Sequence, residues 1–404
     1  MPQTPYVRKP LFETLWNGLS GAPRLIQVVT GPRQVGKTTI ALQVHERWKG
    51  RKVYESADQP HTPGAEWISD HWKKTRQLPL KAGEDTLLIL DEVQKIPRWS
   101  EVVKALADED RRTRARLRVL LLGSSALLVR RGLAESLAGR FELHRHMQWS
   151  FKECQECFGL ALDEFLVFGG YPGALALRKD PARWARFIRD SLIETVIGKD
   201  VLLMSPVQKP ALLRQAFGMA CAHPAEIMSY QKMLGQLTDA GNTVTIAHYF
   251  QLLGAAYLMS PLQRWSGSRI RQRGSIPKIV LRDNSLVTAM APAAMKDGRL
   301  DPAWRGRLVE NAVGAALLAS VEREGGEIFY WRDRQDEVDF VLRRGAELVG
   351  IEVKSGKPTG ALVGAERFRR RFPKSRVVLL GEGKPGGDFE RLSLEAFFAR
   401  NSIW

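Results

Sequence analysis

The segment from Gly31 to Thr38 reads GPRQVGKT and matches the spacing G-x-x-x-x-G-K-[ST] of a phosphate-binding loop. Its two glycines allow the backbone to approach a phosphate closely, and the N–H groups at the start of the following helix bind anions. Lys37 is expected to reach the β- and γ-phosphates of a nucleotide, and Thr38 to coordinate Mg²⁺. The predicted nucleotide-binding residues are Gly31, Pro32, Arg33, Gln34, Val35, Gly36, Lys37, Thr38 and Thr39.

Polar residues also follow two later apolar runs. Residues 86–90 (TLLIL) lead into Asp91 and Glu92, and residues 118–122 (RVLLL) lead through a glycine into Ser124. We expect Asp91 to help hold the Mg²⁺ and Glu92 to polarise an attacking water. Ser124 follows a strand at the carboxyl edge of the predicted sheet, where a hydroxyl could sense the γ-phosphate or the water. These residues predict Mg²⁺-dependent hydrolysis of a nucleoside triphosphate.

A further group with chemical potential lies near the C-terminal end of the sequence. Asp339 is on a predicted strand, and Glu352 and Lys354 are on the next one, where the alternation of side chains puts both on one face. Two carboxylates at strand ends can hold Mg²⁺ near a scissile phosphate while a lysine stabilises developing charge. The group predicts phosphodiester chemistry, although the solvated face of an ordinary amphipathic strand has the same pattern.

The elements that position these residues predict an α/β fold in three domains. In residues 1–150, apolar runs at 25–29, 52–56, 86–90 and 118–122 are separated by helical stretches, which predicts a parallel sheet covered on both faces. Residues 151–300 predict a helical module. Its segments 226–237 and 243–259 outline a helix-turn-helix or winged helix, which could contact DNA directly or have a structural or oligomer-forming role. Residues 301–404 predict a small α/β domain.

The charge balance favours a polyanionic partner. Lys and Arg outnumber Asp and Glu by 61 to 44, which gives a net charge of +17. Basic clusters at 111–118, 264–273 and 367–376 could follow a phosphate backbone, and Trp265 could stack on a base. Each cluster taken singly also fits a solvated surface. DNA is therefore the expected partner.

The cysteines and the hydropathy pattern bear on the compartment. Cys154, Cys157 and Cys221 form neither a disulfide framework nor a complete zinc site, and Cys154 and Cys157 are interpreted as packing residues of a helix. No apolar run reaches the ~20 residues that span a bilayer, and the N-terminal segment lacks the apolar centre of a signal peptide. We expect a soluble cytoplasmic protein with no membrane partner.

The segments GPRQVGKTT, LILDEVQKIPRW, LLLGSSALL and SLAGRFEL, in this order, resemble the bacterial and archaeal AAA+ superfamily ATPases whose C-terminal region carries a domain long left without a function. The resemblance covers nearly the whole chain. It implies ATP as the nucleotide, Ser124 or Ser125 as the sensor, and Arg140 as an arginine finger or sensor arginine. The alternatives for the arginine are Arg130, Arg131 and Arg145. A finger that acts on a neighbouring subunit implies a head-to-tail homo-oligomer that closes into a ring, such as a hexamer.

The C-terminal group is similar to the PD-(D/E)XK nuclease superfamily, which carries a D…(D/E)-x-K core on adjacent strands. This resemblance implies Mg²⁺ at Glu310, Asp339 and Glu352, with Glu310 as an additional carboxylate on the preceding helix, and a catalytic role for Lys354. Whether such a domain cleaves DNA or only binds it stays open. The sequence thus predicts an ATP-hydrolysing motor on DNA, a translocase or helicase, and the alternative is a nucleotide-dependent switch or protein-remodelling ATPase with an inactive nuclease-like scaffold.

Overall fold

The computed structural model describes residues 6–22, 24–81, 83–124, 136–202, 207–237, 242–266, 275–291, 294–296, 299–355, 362–382 and 389–400. The chain divides into two compact units, residues 1–147 and residues 148–404. The predicted α/β fold is confirmed: a parallel sheet is followed by a helical middle and a smaller C-terminal sheet. Within the described residues, no helix combines the length and apolarity needed to cross a membrane.

The first unit is built on a five-stranded parallel sheet in the order β2-β3-β4-β1-β5. Its strands are β1 Ile26–Thr30, β2 Lys52–Ser56, β3 Thr86–Asp91, β4 Leu117–Gly123 and β5 Phe141–Arg145. Its helices are α1 Lys9–Ser20, α2 Lys37–Arg47, α3 Ala65–Arg76 and α4 Trp99–Thr113. Strands β1, β3 and β4 are buried along their whole length, which explains why their sequences are unbroken apolar runs.

Hydrophobic clusters cover both faces of this sheet. Apolar side chains of β3 alternate between them: Leu87 and Ile89 pack in the cluster under α1 and α2, and Leu88 and Leu90 pack in the cluster under α3 and α4. Because β1, β3 and β4 are parallel, their carboxyl ends meet at one edge of the sheet, where Thr30, Asp91 and Gly123 end the strands.

The second unit begins with short helices. They are α5 Phe151–Phe158, α6 Leu162–Phe168, α7 Pro172–Leu175, α8 Pro181–Arg186, α9 Pro210–Ala222, α10 Tyr230–Leu234 and α11 Thr243–Ala255. Two π-helical stretches, Phe187–Ile193 and Val196–Val201, continue α8. An antiparallel ribbon of β6 Met259–Leu262 and β7 Lys278–Leu281 follows α11, then α12 Asn284–Met290 and the short pair β8 Met295–Lys296 and β9 Arg299–Leu300. Helices followed by a ribbon give the predicted winged-helix outline.

The C-terminal part holds a second five-stranded sheet in the order β10-β11-β12-β13-β14. Its elements are α13 Pro302–Glu324, β10 Glu327–Asp333, β11 Asp336–Arg344, β12 Glu347–Val353, α14 Val363–Arg371, β13 Arg376–Leu380, β14 Glu390–Leu392 and α15 Leu394–Ala399. One hydrophobic core contains Phe151, Leu166 and Val280 together with Val313 and Ile351. Residues on both sides of the predicted boundary at 300 therefore share a core.

Candidate functional site

The phosphate loop connects β1 to α2, which begins at Lys37. Gly36 has φ +94°, in the left-handed region that favours glycine. A Cβ on Gly31 would lie 2.0 Å from the backbone oxygen of His146, so a larger residue does not fit there without a shift. No side chain of the described residues caps α2, so its first N–H groups can bind an anion.

Lys37 and Thr38 lie where the sequence predicted, at the start of α2. The Nζ of Lys37 is buried and donates to the carbonyl oxygens of Gly31 at 3.0 Å and Pro32 at 2.6 Å. The Oγ1 of Thr38 donates to Oδ2 of Asp91 at 2.8 Å. A hydroxyl and a carboxylate next to a phosphate loop are ligands that suit Mg²⁺, so this pair fits the ion of a bound Mg²⁺–nucleotide.

Tyr54, on β2, is an additional partner of Asp91. Its hydroxyl donates to Oδ2 of Asp91 at 2.9 Å. Burial raises the pKa of Tyr54, and the charge of Asp91 raises it further, so the hydroxyl stays protonated and remains a donor. The backbone N–H of Glu92 donates to the other oxygen, Oδ1, at 2.8 Å. Three donors, the hydroxyls of Thr38 and Tyr54 and the N–H of Glu92, thus hold the carboxyl group of Asp91 in place.

Glu92 and Ser124 contact each other, with Gln94 completing the group. Oε2 of Glu92 accepts from Oγ of Ser124 at 3.0 Å and from Nε2 of Gln94 at 2.6 Å, and Nε2 of Gln94 lies 3.2 Å from Oγ of Ser124. Gln94 lies on a 3₁₀ turn, Val93–Lys95, directly after β3. Sequence reasoning missed Gln94, because the 3₁₀ turn that brings it to the site is not marked in the sequence. Ser125, the alternative sensor, lies outside the described residues.

His146 contacts the phosphate loop and is a second residue that sequence reasoning missed. Its Nε2 lies 2.9 Å from the carbonyl oxygen of Val35, and the residue is buried. Burial lowers the pKa of His146 well below its usual value, and the charges of Arg8 and Lys37 lower it further. The ring is therefore neutral, and because the carbonyl of Val35 can only accept, its Nε2 carries the proton. His146 fixes the loop and takes no proton near neutral pH.

Arg140 lies away from the phosphate loop of its own chain. It precedes β5, whose first residue pairs with Ile26 at the amino end of β1, whereas Arg145 pairs with Thr30 at the phosphate end. The guanidinium of Arg140 makes a two-fold ion pair with Asp108, at 2.8 and 3.1 Å. The structure does not bring Arg140 together with the other predicted catalytic residues, so a role for it as a finger concerns a second subunit and stays a prediction. The alternatives Arg130 and Arg131 lie outside the described residues.

The predicted C-terminal residues do come together. Oδ2 of Asp339 accepts from the N–H of Val353 at 2.7 Å, and Nζ of Lys354 donates to Oε1 of Glu352 at 2.7 Å. Sequence reasoning missed Lys278, on β7, whose Nζ lies 2.5 Å from Glu310, 3.1 Å from Glu337 and 3.3 Å from Asp339. These six side chains, called the carboxylate cluster below, are Lys278, Glu310, Glu337, Asp339, Glu352 and Lys354.

The electrostatics of the carboxylate cluster reflect burial and crowding. Burial and the charge of Asp339 together raise the pKa of Glu310 to about 8, against the opposing effect of Lys278. Burial and Asp339 also raise the pKa of Glu352 to about 7. Burial alone would lower the pKa of Lys278, but the carboxylates of Asp339, Glu310 and Glu337 outweigh it and raise the pKa. Lys278 is therefore a permanent cation.

The arrangement does not fit the Mg²⁺ that the sequence predicted at Glu310, Asp339 and Glu352. Within the described part of the chain, no three His, Cys, Asp or Glu side chains are placed to hold a metal ion. The physical reason is that the carboxylates of Glu310 and Asp339 point at the ammonium of Lys278, and a divalent cation would meet this charge at hydrogen-bonding distance.

The basic clusters divide into structural and exposed residues. In residues 111–118, Arg118 is buried and pairs with Asp85 at 2.8 Å, whereas the exposed members are Arg111, Arg112 and Arg114. At the end of α14 the exposed members are Arg370, Arg371 and Lys374. Trp265, predicted to stack on a base, instead packs against Phe329 with ring centroids 5.1 Å apart. Residues 267–273 of the cluster at 264–273 lie outside the described residues.

The sequence matches three family models. Residues 23–155 match an AAA domain, residues 160–297 match a domain of unknown function (DUF8612), and residues 305–384 match a second one (DUF4143). The chain is 28% identical over 395 residues to the uncharacterized protein Rv2008c of Mycobacterium tuberculosis, covering 92% of this chain and 82% of that protein. It is 22% identical over 340 residues to the uncharacterized protein MJ1544 of Methanocaldococcus jannaschii, covering 79% and 72%.

Two solved structures are distantly similar. The Aeropyrum pernix ORC1 protein in complex with DNA has a TM-score of 0.33 and 12% identity, covering 72% of this chain and 94% of that one. The Thermotoga maritima RuvB Holliday junction branch migration motor has a TM-score of 0.33 and 12% identity, covering 63% and 89%. The phosphate loop, the acidic end of β3 and the family match agree on one conclusion: this chain carries the AAA domain of a P-loop ATPase, joined to a C-terminal DUF4143 domain.

Proposed function

We propose that the first unit binds ATP with Mg²⁺ and hydrolyses it. The proposal rests on the contacts of two adjacent carboxyl groups at the end of β3. Asp91 contacts Thr38 of the phosphate loop, and Glu92 contacts Ser124. One carboxylate is thereby directed to the ion and the next to the attacking water, which is the pair of functions that hydrolysis needs.

Each side chain then has a definite function. Lys37 binds the β- and γ-phosphates once it exchanges its hydrogen bonds with the loop carbonyls for phosphate oxygens. Thr38 and Asp91 would hold Mg²⁺, which when bound neutralises charge on the phosphates. Glu92 orients the water and accepts its proton, and Ser124 and Gln94 hold the Glu92 carboxylate in place.

We propose DNA as the partner of this ATPase. Support comes from the net charge of +17 and from the exposed arginines and lysine after α14, because cations placed along a surface neutralise phosphates and release counterions. The three cysteines form no disulfide bond in the described part of the chain, which fits a reducing cytoplasmic compartment. ATP hydrolysis would drive movement on DNA, as in a translocase or helicase.

The position of Arg140 supports a homo-oligomer. It lies at the amino end of β5 and is partly exposed, so a phosphate that it contacts would belong to another subunit. A head-to-tail contact of this kind uses two different surfaces and closes into a ring, such as a hexamer. The Arg140–Asp108 ion pair would then have to open on assembly.

The test is ATP hydrolysis by the purified chain at low salt, alone and with duplex DNA, single strands or a four-way junction. We expect basal hydrolysis that one form of DNA stimulates, and loss of both rates in Lys37→Ala. Hydrolysis at the same rate with every DNA would reject DNA as the effector and favour the nucleotide-dependent switch or protein-remodelling ATPase. No hydrolysis under any condition would reject the ATPase itself.

A further inference from the structure

Lys278 lies in the middle of the carboxylate cluster although it comes from outside the C-terminal sheet. It is the first residue of β7, in the ribbon that precedes α12, and it is 1% exposed. Its Nζ contacts carboxylates from two elements, Glu310 on α13 and both Glu337 and Asp339 on β11. The ring of Phe340 lies 5.0 Å from the same atom. The ammonium is thus enclosed by three carboxyl groups and an aromatic ring.

The backbone at Lys278 is held on both sides. The N–H of Ile279 donates to the backbone carbonyl oxygen of Glu226 at 2.9 Å, and the carbonyl oxygen of Ile279 accepts from the N–H of Ala225 at 2.7 Å. On its other side, Lys278 pairs with Leu262 of β6. The hydroxyl of Tyr330, on β10, donates to the carbonyl of Ile276, two residues before Lys278. A lysine anchored in this way cannot leave the cluster by a movement of its strand alone.

A buried side chain also locks β7 against α13. Asn311, next to Glu310, accepts from the N–H of Leu281 at 2.8 Å and donates to its oxygen at 3.1 Å. Asn311 and Leu281 are both buried. The separation between the strand that carries Lys278 and the helix that carries Glu310 is therefore set by hydrogen bonds that are independent of the ion pair.

Several oxygens of the cluster already have partners, although the buried Oε2 of Glu352 has none among the described residues. An ammonium has three hydrogens, and Nζ of Lys278 has three carboxylate partners. The second oxygen of Asp339 accepts from the N–H of Val353, and Oε1 of Glu352 accepts from Lys354. A hard divalent cation needs several oxygens that converge on one point, and here that point lies at the ammonium.

We propose that Lys278 is a built-in counterion that takes the position of a divalent cation, so that the DUF4143 domain neither binds Mg²⁺ at its D…E-x-K residues nor cleaves DNA through it. The chain replaces the metal ion by an internal ammonium that is part of its own fold. Such a domain keeps the shape and basic surface for DNA binding without the chemistry of strand cleavage. The proposal does not depend on the ATPase activity.

The first experiment counts Mn²⁺ bound to the nucleotide-free full chain by electron paramagnetic resonance. We compare the wild type with Asp339→Asn and with Asp91→Asn, which reports on the ATPase site. We expect Asp339→Asn to leave the amount of bound Mn²⁺ unchanged. If Asp339→Asn removes a bound Mn²⁺ that Asp91→Asn leaves in place, the cluster is a metal site in the wild type and the proposal is overturned.

The second experiment removes the ammonium with Lys278→Met, and Lys354→Met serves as a matched control because it deletes another lysine of the same cluster. We expect Lys278→Met to have a lower melting temperature, because buried carboxyl groups lose their counterion. The variant should also bind one Mn²⁺, and added Mg²⁺ should raise its melting temperature again, because a bound cation stabilises the folded state. Lys354→Met should show none of these three changes. A folded Lys278→Met that binds no Mn²⁺ would overturn the proposal. If Lys278→Met does not fold, the Asp339→Asn comparison decides alone.

Discussion

Glu92 and Asp91 are adjacent in the sequence, and we propose different functions for their carboxyl groups. The φ of +55° at Glu92 turns the chain at the end of β3, so that the two side chains contact different partners. Asp91 faces Thr38, and Glu92 faces Ser124 and Gln94. The left-handed backbone at a residue that is not glycine costs free energy and is a feature of functional turns.

Replacing Glu92 by Gln should separate binding from hydrolysis. We expect ATP hydrolysis to fall by about 10²–10⁴-fold, because an amide accepts no proton from water, while ATP still binds through Lys37 and Thr38. Phosphate release measures the first effect, and titration with a fluorescent ATP analogue measures the second.

The control is Glu13→Gln, an exposed residue of α1. It should change neither hydrolysis nor binding. Unchanged hydrolysis in Glu92→Gln would assign the activation of water to a different residue.

Part of the site was predictable at this scale and part was not. Thr38, Asp91 and Ser124 were predictable because the carboxyl ends of neighbouring parallel strands meet at one edge. Gln94 and Lys278 were not. Gln94 reaches the site through a 3₁₀ turn, and Lys278 meets partners up to 61 residues away, a proximity that no spacing along the chain reveals.

At the scale of elements, two helices contain an internal glycine, and close packing requires only one of these glycines. Gly314 is buried in α13, where a Cβ would lie 2.9 Å from the ring of Phe340 and 3.0 Å from Val280. Gly218 lies inside α9, where a Cβ would have no described atom within 4 Å. The first glycine allows α13 to approach the sheet, and the second has no such function.

Alanine at these two positions should therefore shift stability in opposite directions. We expect Gly314→Ala to lower the free energy of unfolding by about 1–3 kcal/mol through overpacking. Gly218→Ala should raise it by about 0.5–1 kcal/mol, because alanine loses less backbone entropy in a helix. Urea unfolding monitored by circular dichroism measures both, and stabilisation by Gly314→Ala would show that α13 does not pack closely on Phe340.

The elements themselves were largely predictable. Strands β1, β3 and β4 are apolar throughout because both faces are covered, and Asp339 and Glu352 lie on the consecutive strands β11 and β12, as predicted. Strand β5 was missed because it is an edge strand whose sequence, FELHR, is mostly polar and only partly buried. Helix α1 was also missed, although its buried residues Phe12, Leu15 and Leu19 recur at helical spacing.

At the scale of the whole molecule, the total charge can be read from the sequence, but its distribution depends on the fold. Two arginines of the basic cluster at 111–118, Arg116 and Arg118, pair with Asp85 inside the first unit, whereas its other arginines are exposed. Arg370 and Arg371, at the end of α14, are also exposed. A count of charges could not have told these two groups apart, because the difference depends on which carboxylates the fold brings near.

The double variant Arg370→Ala/Arg371→Ala should bind duplex DNA more weakly. We expect the slope of log affinity against log salt to decrease by about 1 for each DNA phosphate that the variant no longer neutralises, with no change in sequence preference. Fluorescence anisotropy at several salt concentrations measures both quantities.

The matched control is Lys73→Ala/Lys74→Ala, which removes two exposed cations from α3 outside the predicted clusters. The control should leave the slope nearly unchanged. An equal weakening of DNA binding in the two double variants would mean that total charge, and not the surface after α14, determines the affinity.

The strand order of the first unit has a consequence for its synthesis. β1 is the second element of the chain, but its neighbours in the sheet are β4 and β5, so that Gln27 bonds to Glu142, 115 residues later. During synthesis β1 leaves the ribosome long before β4 and β5, so its apolar residues have no partner strand in that interval. The sheet of the first unit cannot be completed until β5 has also left the ribosome. Until then β1 is an exposed apolar segment that a chaperone can bind.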